Sequence, residues 1–488
     1  MGESDRGAAA CERGWELTMS VPVERVDVAI LGGGPGGYVA ALSAAQRGAR
    51  VVLVEKDRVG GTCLNVGCIP TKALATAAEL LVRARRAGDF GLSIPQVAAD
   101  LPALMIYKRT TVDQLVGGVE QLLRARRITL VRGAARLIKP DTLSVEDAQG
   151  GRRELSANRV ILAPGSVPAE PPMEGLSLPG VLTSTSALDI ESVPSRLIVV
   201  GGGVIGLEFA CIYEALGSQV TVLEMAPAIL PGATDEAVVK RLQILLRRRG
   251  MAVQTGVIAQ RIEKAGEALR VVTTGAASEA AFEGERVLVA TGRWPNTERM
   301  GFAELGLRIS GRAIAVDEHL ATNLPNVWAV GDAVGGWMLA HKAMVEGRVA
   351  AENVTGGQRR VDYRSVPNII FTRPEVASVG LTEAQARDAG AQVKVAQFAF
   401  SANPRARILG EPDGFVRLIC EAGSARVLGV HILGPQAPEL IAEGALAVQM
   451  GATADDLAWT THAHPTLPEA MLEAALAVRD AAIHMHSR

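Results

Sequence analysis

Short apolar runs, glycine turns and helix-spaced apolar positions follow one another in this chain, and the pattern repeats. Residues 26 to 31 (VDVAIL) are long enough for one buried strand. YVAALSAAQRG then carries apolar positions at helical spacing, and a second run, VVLVE, closes on Glu55. The same succession returns at 197 to 224: LIVVGGGVIG, a helix to about Leu216, and VTVLE ending at Glu224. Past residue 360 the period changes, with strands near NIIF, VKVAQFAF, GFVRLIC and RVLGVHIL and then helices from PELIAEGALAVQM to the end, an α+β pattern.

Each strand-to-helix turn carries glycines at GxGxxG spacing: Gly32, Gly34 and Gly37 in the first unit, Gly201, Gly203 and Gly206 in the second. The first glycine permits the tight turn, the second lets a pyrophosphate reach the backbone, and the third lets helix and strand pack closely, with the phosphates at a helix N-terminus. In both units the acid stands 18 residues after the third glycine (37 to 55, 206 to 224), placed to accept ribose hydroxyls. Two dinucleotides are implied. After Glu224 the sequence MAPAIL supplies no arginine for a 2′-phosphate, so the second unit favours NAD over NADP.

The chain has 488 residues, which suggests about three domains, and a formal charge of -2 from 50 basic and 52 acidic residues, with no overall field to hold nucleic acid or an anionic membrane. The sequence has no apolar run of transmembrane length. Residues 1 to 24 lack a secretory core and are more acidic than a mitochondrial-type transit peptide; they are expected to be a disordered extension, with Met19 as a possible alternative start, and the address expected is cytoplasmic.

Of five cysteines, Cys63 and Cys68 are the close pair, in GGTCLNVGCIPTKAL; Cys211 and Cys420 sit in apolar patterns and Cys11 in the leader. On an ideal helix, five residues give about 7.5 Å of rise and a Cα separation near 8.6 Å, beyond the roughly 7 Å limit for a disulfide. A bridge therefore needs a distorted turn, which Asn65 and Gly67 tolerate, while Pro70 suits the first turn of a helix expected over TKALATAAELLVRARRAG. The spacing is poor for a metal, because no second pair supplies the remaining ligands, and redox chemistry is the better reading. No metal is expected.

These motifs, with ATNLPNVWAVGD at 321 to 332 and HAHPTLPE near the end, resemble the pyridine nucleotide-disulfide oxidoreductases over about residues 25 to 488, each motif in the family's order. The resemblance implies an α/β fold of two Rossmann-like FAD/NAD(P)-binding domains plus a C-terminal α+β dimerisation domain. Its expected divisions are residues 25–166 (FAD domain, first part), 167–292 (NAD), 293–360 (FAD, second part) and 361–488 (dimerisation). It implies FAD in the first cradle, NAD in the second and a redox disulfide beside the flavin. Cys63 would exchange with substrate and Cys68 would lie nearer the flavin.

By the same resemblance Glu55 holds the FAD ribose, Lys72 lies near the flavin and pairs with Glu208, and Asp332 accepts ribityl hydroxyls. LAPGSVP matches the crossing between domains, although Pro164 stands where the family usually has Thr. Further cofactor contacts are expected at Lys56, Gly61, Thr62, Ala135, Gly165, Ser166, Gly331, Ala340, Val204, Ile205, Val257, Gly292 and Arg293. His464 is expected as the base, oriented by Glu469, and it would reach the disulfide of the other subunit of a homodimer. A base is chemically needed, since a dithiol with a pKa near 8.5 is mostly protonated at neutral pH and only the thiolate attacks a disulfide. His462, His319, His341 and His431 are expected to be structural, and His484 and His486 to lie in a frayed tail. The implied reaction is oxidation of a dihydrolipoyl group on the acyltransferase of a 2-oxo acid dehydrogenase or glycine cleavage complex; the alternative is a glutathione- or mercuric-reductase-like activity.

Overall fold

Val26–Leu31 has its last four residues buried and Val51–Glu55 all five, so both run through the middle of a covered sheet rather than along an edge. The computed structural model describes residues 25–275 and 279–485. In its first sheet the strands Thr129–Arg132, Val51–Glu55, Val26–Leu31 and Arg152–Leu162 lie side by side and parallel, and Val327–Ala329, from far down the sequence, pairs in parallel with Val160 to Leu162. Arg152–Leu162 serves two sheets. Ala157 to Leu162 pair in parallel with the first strand, whereas Arg152 to Ser156 pair antiparallel with Thr142–Glu146, which in turn pairs with Ala134–Lys139. Four helices belong to this part: α1 (Pro35–Gln46), α2 (Gly61–Val66), α3 (Cys68–Arg85) and α4 (Leu101–Ala125).

The second unit repeats the plan. Ala252–Thr255, Gln219–Glu224, Arg196–Val200 and Arg286–Val289 are parallel, in the same spatial order as their counterparts, and a three-stranded antiparallel meander (Val257–Ala265, Ala268–Gly275, Glu279–Gly284) is inserted before the last of them. Helix α5 (Val204–Leu216) follows the glycine turn and α6 (Glu236–Arg248) precedes the third strand. Helix α5 is buried on nearly every side, because it packs against α3 of the first unit as well as its own sheet. The chain crosses between the two units twice, at Ser166–Pro168 and Arg293–Pro295, and the crossings pair as an antiparallel ribbon.

After α7 (Ala340–Val354), which lies along α1, a five-stranded antiparallel sheet runs in the order Asn368–Ile370, Glu375–Gly380, Val427–Gly434, Phe415–Glu421, Val393–Ala399. The pattern of apolar residues showed four of these strands; EVASVG, broken by small residues, became legible only through its pairing with Val427–Gly434. Helices α8 (Glu383–Asp388), α9 (Pro404–Ile408), α10 (Ala437–Met450), α11 (Ala454–Trp459) and α12 (Glu469–Val478) complete this region; α10 and α12 pack on the sheet. No helix among the described residues is long and apolar enough to cross a membrane. Met1 to Glu24, including Cys11 and Met19, lie outside the described residues.

Candidate active site

The cysteine segment is fixed to the first glycine turn. After Glu55 the chain reverses at Gly60 (φ 95°), whose N–H donates to the Gly33 carbonyl at 2.8 Å. Helix α2 begins at once, so close that a Cβ on Gly61 would stand 2.7 Å from the Gly34 Cα. Asn65 remains within α2 and ties it down, its amide donating to the carbonyls of Gly61 (2.9 Å) and Val59 (3.1 Å). The distorted turn that the spacing demands comes from Gly67, at φ -142° and ψ -115°, where a Cβ would meet the Thr62 carbonyl at 2.7 Å. The regular helix starts earlier than the sequence pattern indicated, at Cys68 instead of residue 71, with Pro70 inside the first turn where a missing N–H costs nothing.

Both cysteines are thiols in the structure and partly buried. The Cys63 thiol donates a hydrogen bond to the Cys68 sulfur, which pushes Cys63 well above its ordinary range and brings Cys68 down to about 7. Burial opposes the fall of Cys68, and the nearby Lys72 ammonium assists it. Its position as the first residue of an 18-residue helix favours the same charge, since the unpaired N–H groups of a helix start stabilise a thiolate. The hydrogen bond, Lys72 and the helix start therefore all favour the negative charge on Cys68 over Cys63.

Lys72, one turn into α3, places Nζ 2.7 and 2.8 Å from the carboxylate oxygens of Glu208 in α5, and Glu208 is nearly buried. The expected pair is thus formed, across the two units. Glu208 also accepts the Phe371 N–H at 3.0 Å, and the Phe371 ring lies 4.8 Å from Nζ, so the C-terminal region shares this corner. Phe371 escaped sequence reasoning; an isolated aromatic in an apolar strand carries no signal of such a contact. On another side Ser166 donates to Asp332 at 2.5 Å, and Arg293 donates to the Ser166 hydroxyl (2.7 Å) and carbonyl (2.8 Å). Burial lowers the Arg293 guanidinium, while the charges of Asp332 and Cys68 oppose that fall, which sets Arg293 within electrostatic reach of both.

Two dinucleotides fit the two glycine turns. Gly32 (φ 98°) faces the Ala163 carbonyl so closely that a Cβ would lie 2.1 Å away, and a Cβ on Gly37 would lie 1.8 Å from the Gly32 carbonyl; Gly201 and Gly206 repeat this at 2.4 and 2.0 Å. Helix and strand meet there because nothing but hydrogen is present. The middle glycines are open: nothing lies within 4 Å of a Cβ on Gly203, and only the Gly61 Cα, at 3.9 Å, near one on Gly34. Glu55 accepts from the N–H groups of Gly33 (2.7 Å) and Asp57 (2.9 Å), and Glu224 from those of Gly202 (2.6 Å) and Ala226 (2.7 Å). A carboxylate has about four lone-pair positions, so each retains acceptor capacity for ribose hydroxyls. Met225 beside Glu224 is exposed and uncharged, as suits a free 2′-hydroxyl.

Lys56 is exposed and 4.0 Å from Asp57, Thr62 lies on the outer face of α2, and Ala340 is the first residue of α7. Ala135 lies on a meander strand opposite Val145, and Val257 opens the second meander just after the Gly256 amide bonds to the Ala226 carbonyl. Val204 and Ile205 form the first turn of α5; Gly165 and Gly292 flank the crossing ribbon.

His464 Nδ1 lies 2.8 Å from a Glu469 oxygen, whose partner oxygen accepts the Thr466 N–H at 2.7 Å. Burial pushes Glu469 upward, but the Thr466 amide and the imidazole outweigh it and hold the carboxyl below its ordinary range. The imidazole is 69% exposed, and its hydrogen bond goes to Glu469, not to either cysteine of the same chain. His462 is anchored between Glu443 (2.9 Å) and the Thr460 carbonyl (2.8 Å), and His341 bonds the Pro367 carbonyl at 2.6 Å. One expectation fails: His484 is not frayed. Its ring lies 2.6 Å from Glu473, which also accepts the amides of Ile483 (2.9 Å) and His484 (3.1 Å), so a buried carboxylate one turn after Glu469 captures the returning tail. His486 lies outside the described residues.

The fold and this site define a flavoprotein disulfide oxidoreductase, and the chain belongs to the pyridine nucleotide-disulphide oxidoreductase family: residues 26–347 match that family and residues 366–475 its dimerisation domain. Among its relatives, a dihydrolipoyl dehydrogenase of Thermus scotoductus is 44% identical over 468 residues, 95% of this chain and 99% of the relative. One from Pseudomonas aeruginosa is 42% identical, over 94% of this chain and 99% of its own. LpdA from Mycobacterium tuberculosis shares the fold with a TM-score of 0.86 at 29% identity, covering 93% of this chain and 99% of that one.

Proposed function

We propose that this protein is a dihydrolipoyl dehydrogenase that oxidises dihydrolipoamide to lipoamide and reduces NAD+ to NADH and a proton, with FAD in the first cradle. The observation that carries the reading is the cysteine pair, Cys63 in α2 and Cys68 at the start of α3, tied to that cradle by the Gly60 N–H to Gly33 carbonyl bond, with the Lys72–Glu208 pair one turn further on. In the oxidised enzyme these sulfurs form a disulfide. His464, oriented by Glu469, takes a proton from one substrate thiol, and that sulfur attacks Cys63 as Cys68 leaves as a thiolate. The second substrate thiol, its proton passing to the departing Cys63 sulfur, then displaces Cys63 and closes the lipoyl disulfide. Two electrons now reside on the Cys63/Cys68 dithiol, with Lys72 stabilising the Cys68 charge and Glu208 holding Lys72 in place. FAD, when bound in the first cradle, would supply the two-electron acceptor between this dithiol and NAD+.

His464 stands exposed on its own chain, so we assign it to the Cys63 site of the other subunit of a homodimer, the C-terminal region providing the interface. The electron donor we assign is the lipoyl arm of an acyltransferase in a 2-oxo acid dehydrogenase or glycine cleavage complex, in the cytoplasm. The deciding experiment is an assay of the purified yellow protein with dihydrolipoamide, glutathione disulfide and mercuric ion, each with NAD and NADP nucleotides. Turnover confined to dihydrolipoamide with NAD+ is expected. A protein that takes up no flavin, or prefers glutathione disulfide with NADPH, would refute the assignment.

A further inference from the structure

We infer that Glu346, with Lys342 and Tyr363, is the positioning residue that sets the flavin loop carrying Asp332, and that it ties this loop to the segment entering the dimerisation domain. The inference rests on the flavin reading above.

Glu346 lies on α7 with its side chain wholly buried, where an ionised carboxylate persists only if it is paired and hydrogen-bonded. Its two oxygens are used differently. Oε2 accepts the Gly331 N–H at 2.7 Å; Oε1 accepts the Tyr363 hydroxyl at 2.7 Å and lies 3.0 Å from Lys342 Nζ. Lys342, itself buried, donates to the Gly335 carbonyl at 3.0 Å and reaches the Gly331 carbonyl at 3.4 Å. Both ends of the Gly331 residue are thus held by opposite charges one helical turn apart, and the loop is pinned again at Gly335. Asp332 sits between the two pins.

The loop needs such anchors because Gly331 (φ 78°) and Gly335 (φ 75°) are both left-handed, and a glycine-hinged segment has little conformational preference of its own. The anchor is rigid. Helix α7 packs against α1 so tightly that a Cβ on Gly347 would stand 2.4 Å from the Gly36 carbonyl, so the pair shares a frame with the phosphate cradle. A buried ion pair contributes little to stability compared with apolar residues of equal volume. Its geometry here accounts for it better, since the two charges hold the two successive peptide units that meet at Gly331, next to a residue expected to bind the ribityl chain. Tyr363 extends the contact outward: it precedes the residues 366–475 of the dimerisation domain, and its burial and the adjacent carboxylate keep the phenol protonated as a donor.

The test compares the holoenzyme with Tyr363→Phe, Glu346→Gln and Lys342→Arg. The rate of flavin release is followed by fluorescence, the bound flavin by visible-region circular dichroism, and the apoprotein by its thermal midpoint. Tyr363→Phe removes one donor and should speed release about fivefold, and Glu346→Gln at least about tenfold, by the loss of one and of several hydrogen bonds. Both should alter the flavin dichroism, and Tyr363→Phe should lower the apoprotein midpoint by no more than about 2 °C; Lys342→Arg, which keeps the charge, should release flavin more slowly than Glu346→Gln. Tyr363 is partly exposed, so its variant decides the matter even if Glu346→Gln fails to fold. Wild-type release and dichroism in Tyr363→Phe, or faster release with unaltered dichroism, would overturn the inference. A wild-type protein that binds no flavin would overturn it together with the functional reading beneath it.

Discussion

The two dinucleotide units are nearly superimposable in their hydrogen bonding and differ in the stretch of chain beyond the acid. In each, the carboxylate closes the loop through the amide of the middle glycine of its GGG run and the amide two residues beyond the acid itself. In each, a later amide then bonds back to the carbonyl of that same glycine: Gly60 to Gly33 at 2.8 Å, Leu230 to Gly202 at 2.9 Å. From there they diverge. Gly60 opens directly into the short helix of Cys63, whereas Leu230 is a buried apolar side chain on the way to Asp235, which caps the amphipathic α6. The bonds that shape the dinucleotide turn are common to both copies; beyond the back-bonding amide, the first copy alone has a glycine followed by the two thiols where the second has a buried apolar anchor.

The strongest way to break this comparison is to disarm the first copy alone. Cys68→Ser should abolish dihydrolipoamide turnover while FAD stays bound and NADH still reduces it, as absorbance spectra would show; retained turnover would mean that the Cys63/Cys68 pair is not the electron route. Next, His464→Gln should lower kcat by about 10²- to 10⁴-fold, the usual contribution of a positioned base. Glu469→Gln should cost less, about 10- to 100-fold, equivalent to one charge-assisted hydrogen bond of ~1.5–3 kcal/mol. A mixed dimer of Cys63→Ser and His464→Gln chains would sharpen the point: if the base serves the other subunit, one of its two sites has both functional residues.

Disarming the second copy should do something different. Glu224→Ala removes the acceptor of the Gly202 amide and should raise the KM for NAD+ about tenfold, with flavin content unchanged, by the loss of ~1–1.5 kcal/mol. The smallest effect is a shift in pH. In the reduced enzyme Cys68 is a thiolate above about pH 7 and protonates as pH falls through that value. Because the Cys63 hydrogen bond is the largest cause of that lowering, Cys63→Ala should move the midpoint upward by about one unit, read from the pH dependence of Cys68 alkylation. A midpoint that stays near 7 would assign the lowering to Lys72 and the helix start instead.

Much of this was legible in the chain because the features are local. A GxGxxG turn, an acid at fixed spacing and two cysteines separated by five residues are short-range patterns, and backbone sterics dictate their meaning wherever they occur: only hydrogen fits where Gly37 meets the Gly32 carbonyl, and a cysteine pair at that spacing cannot bridge without breaking a helix. Tertiary structure decided what depends on approach between distant segments. It made Gly67 rather than Asn65 the break, brought Phe371 onto Glu208, ran Tyr363 to Glu346, and turned the tail back so that Glu473 caught His484. A lone aromatic, a tyrosine in a connecting segment or a glutamate within a helix reads like any solvated or packed residue, and its partner is fixed by packing, not by spacing.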